Sequence, residues 1–175
     1  MMAGNALHFM TNANVYLDGN SLLGRAKEIK LPEINVVQQE HQALGMIGKV
    51  QLPAGFDKLE GEIHWTSLYE EVALRTANPF KAYPLQCRGS LQRYNPAQGR
   101  QDELPVAVFM TVMFSKNVLG SFKQHEVPEM SSSFTCSYIK QVMDGQVLLE
   151  LDVIANIFKI NGEDMLTDYR ANLGA

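Results

Sequence analysis

Apolar and polar residues alternate with a period of two along much of this chain, which confines the fold to sheets with one buried face. Leu85, Cys87, Gly89 and Leu91 share one parity, while Gln86, Arg88, Ser90 and Gln92 share the other. Phe134, Cys136 and Tyr138 oppose Ser133, Thr135 and Ser137 in the same way, and Leu59, Gly61, Ile63 and Trp65 oppose Glu60, Glu62 and His64. Successive side chains of a strand point to opposite faces, so each segment predicts a half-buried strand. Val106 to Phe114 differs in being apolar on both parities and rich in branched and aromatic residues. A strand of that kind is buried on both faces or covered by a neighbouring subunit.

Turn chemistry divides these segments. Asp18-Gly19, Asp144-Gly145 and Asn161-Gly162 each favour positive φ at both central positions of a tight hairpin. They place strands at Asn14–Leu17 and Leu22–Leu31, at Val147–Asp152 on the return from Met143, and at Ile154–Ile160. Pro53-Ala54-Gly55-Phe56 predicts another turn, and residues 95–103 a polar loop. One helix is expected. Ser67-Leu68-Tyr69-Glu70 matches a capping box, and the helix it starts ends near Thr76 or Ala77, before Asn78-Pro79. The sum is an antiparallel β sandwich or open barrel, mainly β, with one flanking α-helix and extended arms. No repeat or linker splits the chain, so residues 1–175 are expected to form a single domain.

Composition excludes several classes of function. A formal charge of −4 lacks the basic surface of a general nucleic-acid binder. A mildly acidic wall can still guide DNA past it without trapping it. No apolar run approaches the ~18 residues of a membrane span, and Met1–Met10 lacks a signal-peptide pattern, so a soluble chain made in a cytoplasm is expected. Cys87 and Cys136 lie within apolar alternations and read as small buried hydrophobes, a disulfide or reactive thiol being the alternative. His8, His41, His64 and His125 fall in four segments without metal-ligand spacing. There is no GxSxG, Walker loop or dinucleotide fingerprint, and Gly45-Met46-Ile47-Gly48 precedes no helix. Glu150 and Asp152 share a strand face, a geometry open to acid–base work or a hard cation. The plainer alternative is a solvated or interface strand face. Neither a cofactor nor an enzymatic activity is expected.

What the sandwich does not need is as informative. Residues 1–12, the excursion 33–58, the crossing 117–130 and the last decade, 165–175, exceed what closing one small core requires. They carry Val36, Val37, Leu44, Met46, Ile47 and Phe122, too apolar a set for disorder. Such segments read as arms that gain order by lying on another subunit.

An ordered series then becomes legible: Asn14-Val15-Tyr16-Leu17-Asp18-Gly19, Leu31-Pro32, Gly45-Met46 and Asp57-Lys58-Leu59-Glu60. It continues through Tyr138, Lys140, Met143-Asp144-Gly145, Glu150-Leu151-Asp152, Asn156, Asn161-Gly162, Asp164, Arg170 and Asn172-Leu173-Gly174. In order and spacing the chain resembles the major tail tube proteins of contractile-tailed bacteriophages (myoviruses) and R-type pyocins. The resemblance implies six-membered rings in which each subunit gives four strands to a continuous inner barrel. Stacked rings would form a hollow tube inside a contractile sheath, in a virion assembled in the host cytoplasm. It implies an inter-ring contact at Val36, Val37, Leu44, Gly45, Met46, Ile47 and Gly48. It also implies a lumen lined by Gln86, Arg88, Ser90, Gln92, Ser133, Thr135, Ser137, Glu150 and Asp152, and a sheath-facing helix bearing Glu70, Glu71 and Arg75. The implied partners are other copies of the chain, the tail sheath protein, the tape measure protein, baseplate tube-initiating proteins and a tail terminator. DNA would pass through the lumen without specific binding. The tube of a phage-derived bacteriocin or of a type VI-like system is the alternative assembly. A carbohydrate-binding or hydrolytic β sandwich is the alternative of another class.

Overall fold

The computed structural model describes residues 6–175, so the first five residues of the expected N-terminal arm lie outside the described residues. In chain order the elements are β1 (Leu7–Leu17), β2 (Asn20–Ser21), β3 (Ala26–Lys30), β4 (Val36–His41), β5 (Val50–Phe56), β6 (Leu59–Trp65) and α1 (Glu70–Thr76). Then follow β7 (Tyr83–Asn95), β8 (Arg100–Asn117), β9 (Met130–Met143), β10 (Gln146–Asp152), β11 (Ile157–Ile160), β12 (Glu163–Asp164) and α2 (Thr167–Leu173). The fold is mainly β and antiparallel throughout, as the alternation predicts. One sheet runs in the order β12-β11-β10-β9-β8-β7-β1-β2, and β4 and β5 form a separate two-stranded ribbon.

A single transverse row builds the core. Leu17, Leu85, Met110, Ile139 and Leu151 are register partners on five adjacent strands, and none is more than 5% exposed. Along one edge β9 pairs with β6 through Met130–Cys136 and with β10 from Tyr138 onward. At the junction a bulge leaves Ser137 without a partner on β8, and its carbonyl accepts the Val153 N–H at 3.0 Å. The β6–β3 branch carries Leu59, Ile63 and Trp65 onto the core row. Trp65 Nε1 donates to Ser132 Oγ at 3.0 Å, satisfying the one polar group that its burial would orphan. Phe134 and Ile63 are wholly buried, and full burial of such a side chain stabilises by about 1.5–3 kcal/mol. A Cβ at Gly61 would lie 2.4 Å from Phe134 Cζ, so the ring's place against β6 requires glycine there.

The three expected hairpin turns form, with Asp18-Gly19, Asp144-Gly145 and Asn161-Gly162 all at positive φ. Other boundaries are corrected. β1 starts at Leu7 and pairs with β7 as far as Tyr94, so Leu7–Asn12 is strand rather than arm. Asn95 and Arg100 pair, which shortens the expected 95–103 loop to residues 96–99. The proposed turn at 53–56 lies inside β5, where a bulge opposite Val37 and Gln38 absorbs Ala54. The expected second strand, Leu22–Leu31, is reduced to β3, and the expected strand 154–160 to β11. Residues 153–156 instead form a turn in which Asp152 Oδ1 accepts the N–H groups of Ile154 and Ala155.

The helix prediction also shifts. α1 begins after Tyr69, and no side chain caps it. Thr66 and Tyr69 instead tie the preceding turn down: the Thr66 N–H donates to the Arg25 carbonyl, and its Oγ1 lies 2.7 Å from the Tyr69 hydroxyl. With those residues held in a loop, Ser67 cannot start the first turn. A second helix, α2, occupies the segment expected to be an arm and ends at Gly174 with φ +74°.

Candidate assembly surfaces

The strands that build the core present their other parity to one shared outward face, polar on β7, β9 and β10 and interrupted on β8 by Ala107, Phe109 and Met113. One row across it runs Tyr16, Gln86, Phe109, Lys140, Glu150 and Lys159. Another runs Asn14, Arg88, Ala107 and Val142. Towards β6 the row is Lys116, Ser133, Glu62 and Lys30. Eight of the nine residues expected to line a lumen lie on this face: Gln86, Arg88, Ser90, Gln92, Ser133, Thr135, Glu150 and Asp152. Ser137, the ninth, sits in the bulge. The face is tied internally. Gln92 Nε2 and Ser90 Oγ donate to the two oxygens of Glu103, at 3.3 and 3.2 Å, and the Arg88 guanidinium lies over the Tyr16 ring at 5.4 Å.

The structure overturns the inward assignment of Tyr138. Phe134 and Cys136 do point into the core, but the Ser137 bulge shifts the parity, so Ile139 takes the next buried place. Tyr138 emerges on the polar face and donates to Glu150 Oε1 at 3.0 Å. Partial desolvation, then the hydrogen bond and charge of Glu150, push its phenol up to about 12. Lys159 Nζ approaches Glu150 Oε2 at 3.9 Å. Sequence reasoning missed Tyr138, Lys140 and Lys159 here; the signal that could have found them was Ile139, an apolar residue on the wrong parity. Glu150 and Asp152 share a face as expected but diverge in role, since Asp152 is committed to its turn.

The seven residues expected at an inter-ring contact lie in the β4–β5 ribbon and its loop. Of these, Leu44 and Ile47 are as exposed as an isolated residue, at 104% and 110%. Val36, Val37 and Met46 are exposed, as are Val50 and Leu52 on the return strand. The ribbon is rooted where Phe56 packs on Phe158 of β11, ring centroids 4.8 Å apart, and where the Asp57 N–H donates to the Asn35 carbonyl. A two-stranded ribbon with neither face covered is marginal by itself.

On α1 the three expected outward residues separate. Glu70 is exposed. Glu71 pairs with Arg25, and Arg75 donates to Asp18 Oδ2 at 3.2 Å and to the Glu71 carbonyl at 2.8 Å. Those two therefore clamp the helix to its own sheet. Val72 and Thr76 provide its buried side.

Cys87 and Cys136 are unbridged and buried, and burial pushes the Cys136 thiol up to about 11, away from thiolate chemistry. Among the described residues no three His, Cys, Asp or Glu side chains gather as a metal site.

An antiparallel sheet with one buried face, an outward face polar on β7, β9 and β10, and an uncovered apolar ribbon defines a β-rich structural subunit. The comparisons give that class its family. Residues 8–174 match the family model described as phage tail tube protein FII, and the chain belongs to that family. It is 32% identical over 167 residues to the tail tube protein of Escherichia phage P2, covering 92% of this chain and 94% of that one. Two solved chains share the fold at 8% identity, each over 75% of this chain. One comes from the extended sheath–tube complex of the PVC extracellular contractile injection system (TM-score 0.54, 87% of that chain), and the other from its extended sheath/tube terminator assembly (TM-score 0.50, 92%).

Proposed function

We propose that this chain assembles into stacked hexameric rings that form the inner tube of a contractile phage tail, through which DNA is delivered to the host. The observation that carries the proposal is the shared outward face, with the polar residues of β7, β9 and β10 on one side of one sheet. Curved around an axis, such a face makes a hydrophilic wall, while strands left at the sheet edges pair with neighbouring subunits. Its charges alternate, with Arg88, Lys140 and Lys159 set against Glu103, Glu150 and Asp152. A wall of that balance offers phosphate no continuous basic track to bind.

Residues 1–175 act as one tail tube domain in this reading, the β4–β5 ribbon reaching the adjacent ring and α1 turned to the sheath, with Glu70 the acidic group most available to it. A tape measure protein, baseplate initiators and a tail terminator complete the partners, and the role is structural rather than catalytic. Concentrating the purified chain and following it by size-exclusion chromatography and negative-stain microscopy tests this. Uniform rings or hollow tubes are the expected result; a monomer persisting at high concentration would overturn it.

A further inference from the structure

β1 lies against β7 along its whole length, but β2 covers its other edge only at Tyr16 and Leu17. An uncovered edge offers a row of backbone donors and acceptors to any strand that meets it. This edge is not bare. A strand residue points its N–H and C=O to the same side, and the Val15 carbonyl accepts the Leu22 N–H at 2.8 Å. The N–H groups of Val15 and, two residues back, of Ala13 therefore point out of the edge that β7 does not cover. Both are taken by the chain's own asparagines. Asn12 Oδ1 accepts the Ala13 N–H at 2.8 Å, and Asn14 Oδ1 accepts the Val15 N–H at 2.9 Å.

We infer that Asn12 and Asn14 are a latch on an assembly edge: their amide oxygens hold the two N–H groups that a strand of a second copy must take to extend the sheet past β1. The inference rests on reading the chain as a tube subunit whose sheet edges pair with neighbours. Asparagine is depleted in strands, and a side chain bonded to the adjacent backbone competes with the ladder. Two of them at alternate positions block this edge while leaving the pairing with Ser90 and Arg88 of β7 intact. The bulge at Thr11 bends the same edge, its hydroxyl turned back to the Ser90 carbonyl at 3.0 Å.

Room for the partner strand lies beside the latch. Asn12–Val15 line a cleft of about 410 Å³ whose other wall is residues 22–24 and 26–29. On the N-terminal side of the bulge no such cap is present among the described residues, and Leu7, Phe9 and Met10 are 50–65% exposed. An incoming strand therefore meets Leu7–Met10 first and displaces the two amides as it advances towards Val15. Each N–H then exchanges a side-chain acceptor for a backbone carbonyl, so the latch delays pairing without forbidding it.

The test compares the unaltered protein with Asn12→Ala/Asn14→Ala. Amide exchange is followed in dilute subunits, and light scattering gives the lag before tubes form on concentration. The double variant should exchange the Ala13 and Val15 amides about tenfold faster and shorten the lag by about the same factor. Asn14 Nδ2 also donates to Ser21 Oγ at 2.9 Å, so Asn12→Ala serves as the variant that leaves β2 untouched. It should free the Ala13 amide alone and shorten the lag in the same direction. Asn12→Asp retains the acceptor oxygen and should keep Ala13 exchange slow. Tubes that form with an unchanged lag in both alanine variants would overturn the latch and leave the tube reading standing, as would unchanged exchange of the two amides. Monomers in every sample would overturn both.

Discussion

At the scale of single residues, one unpaired serine decides which side chains face outward. Alternation by itself continues Phe134 and Cys136 into Tyr138, and only a bulge at Ser137 lets Ile139 enter the core instead. A bulge costs one residue of register and leaves almost no mark in composition. The consequence for Tyr138 is measurable. Its phenol, pushed up to about 12 by desolvation and Glu150, titrates near 10 in the unfolded chain. A group whose pKa is raised by folding contributes stability that is complete below its unfolded value and is lost as pH rises through its folded one. Alkaline melting should therefore steepen between pH 10 and 12, and Tyr138→Phe should flatten that part of the profile. Equal slopes for the two proteins between pH 10 and 12 would show that the phenol is not coupled to folding.

Elements were legible where one local rule decided them. The three Asx-Gly turns and the Leu85/Cys87 alternation needed no tertiary information, and they account for most of the sheet. Where tertiary contacts outvote the local signal, reading failed. The Ser67/Glu70 pattern yields to the ties of Thr66 and Tyr69, and the polar Arg100–Glu103 segment becomes strand because Gln92 and Arg93 pair across from it. Pro53 was read as a turn, yet it lies in a ribbon bonded to one partner only, where a missing N–H is tolerated. α2 was missed because seven amphipathic residues carry too little periodicity to distinguish a helix from an arm. Its anchor gives a prediction. Arg170 holds the Asp164 carboxyl below the usual carboxylate range, and the ionised pair grips the helix. Asp164→Asn should speed amide exchange across Thr167–Leu173 while leaving β7–β9 protected. In the unaltered protein the same loosening should begin only as pH falls through the lowered Asp164 value. Unchanged exchange in the variant would place the helix's anchor elsewhere.

For the whole molecule the central matter is how the ribbon is coupled to the body. The core row closes without β4 or β5: no residue of either strand is buried, and only Phe56 packs against the body at its edge. Stability and assembly should therefore separate. Gln39 and Leu52 are register partners, so replacing residues 40–51 by Asn-Gly would close the ribbon with a two-residue turn at that pair. The shortened chain keeps Phe56 on Phe158 and removes Leu44, Met46 and Ile47. Its unfolding free energy from urea titration should fall within about 0.5 kcal/mol of the parent, as for surface changes away from the core. Ring stacking should be lost, because the shortened ribbon no longer spans the distance to a second copy. A large fall in stability would mean that the ribbon belongs to the core after all. Normal tubes from the shortened chain would mean that rings are held together by the sheet body, and that the exposed apolar tip serves another contact.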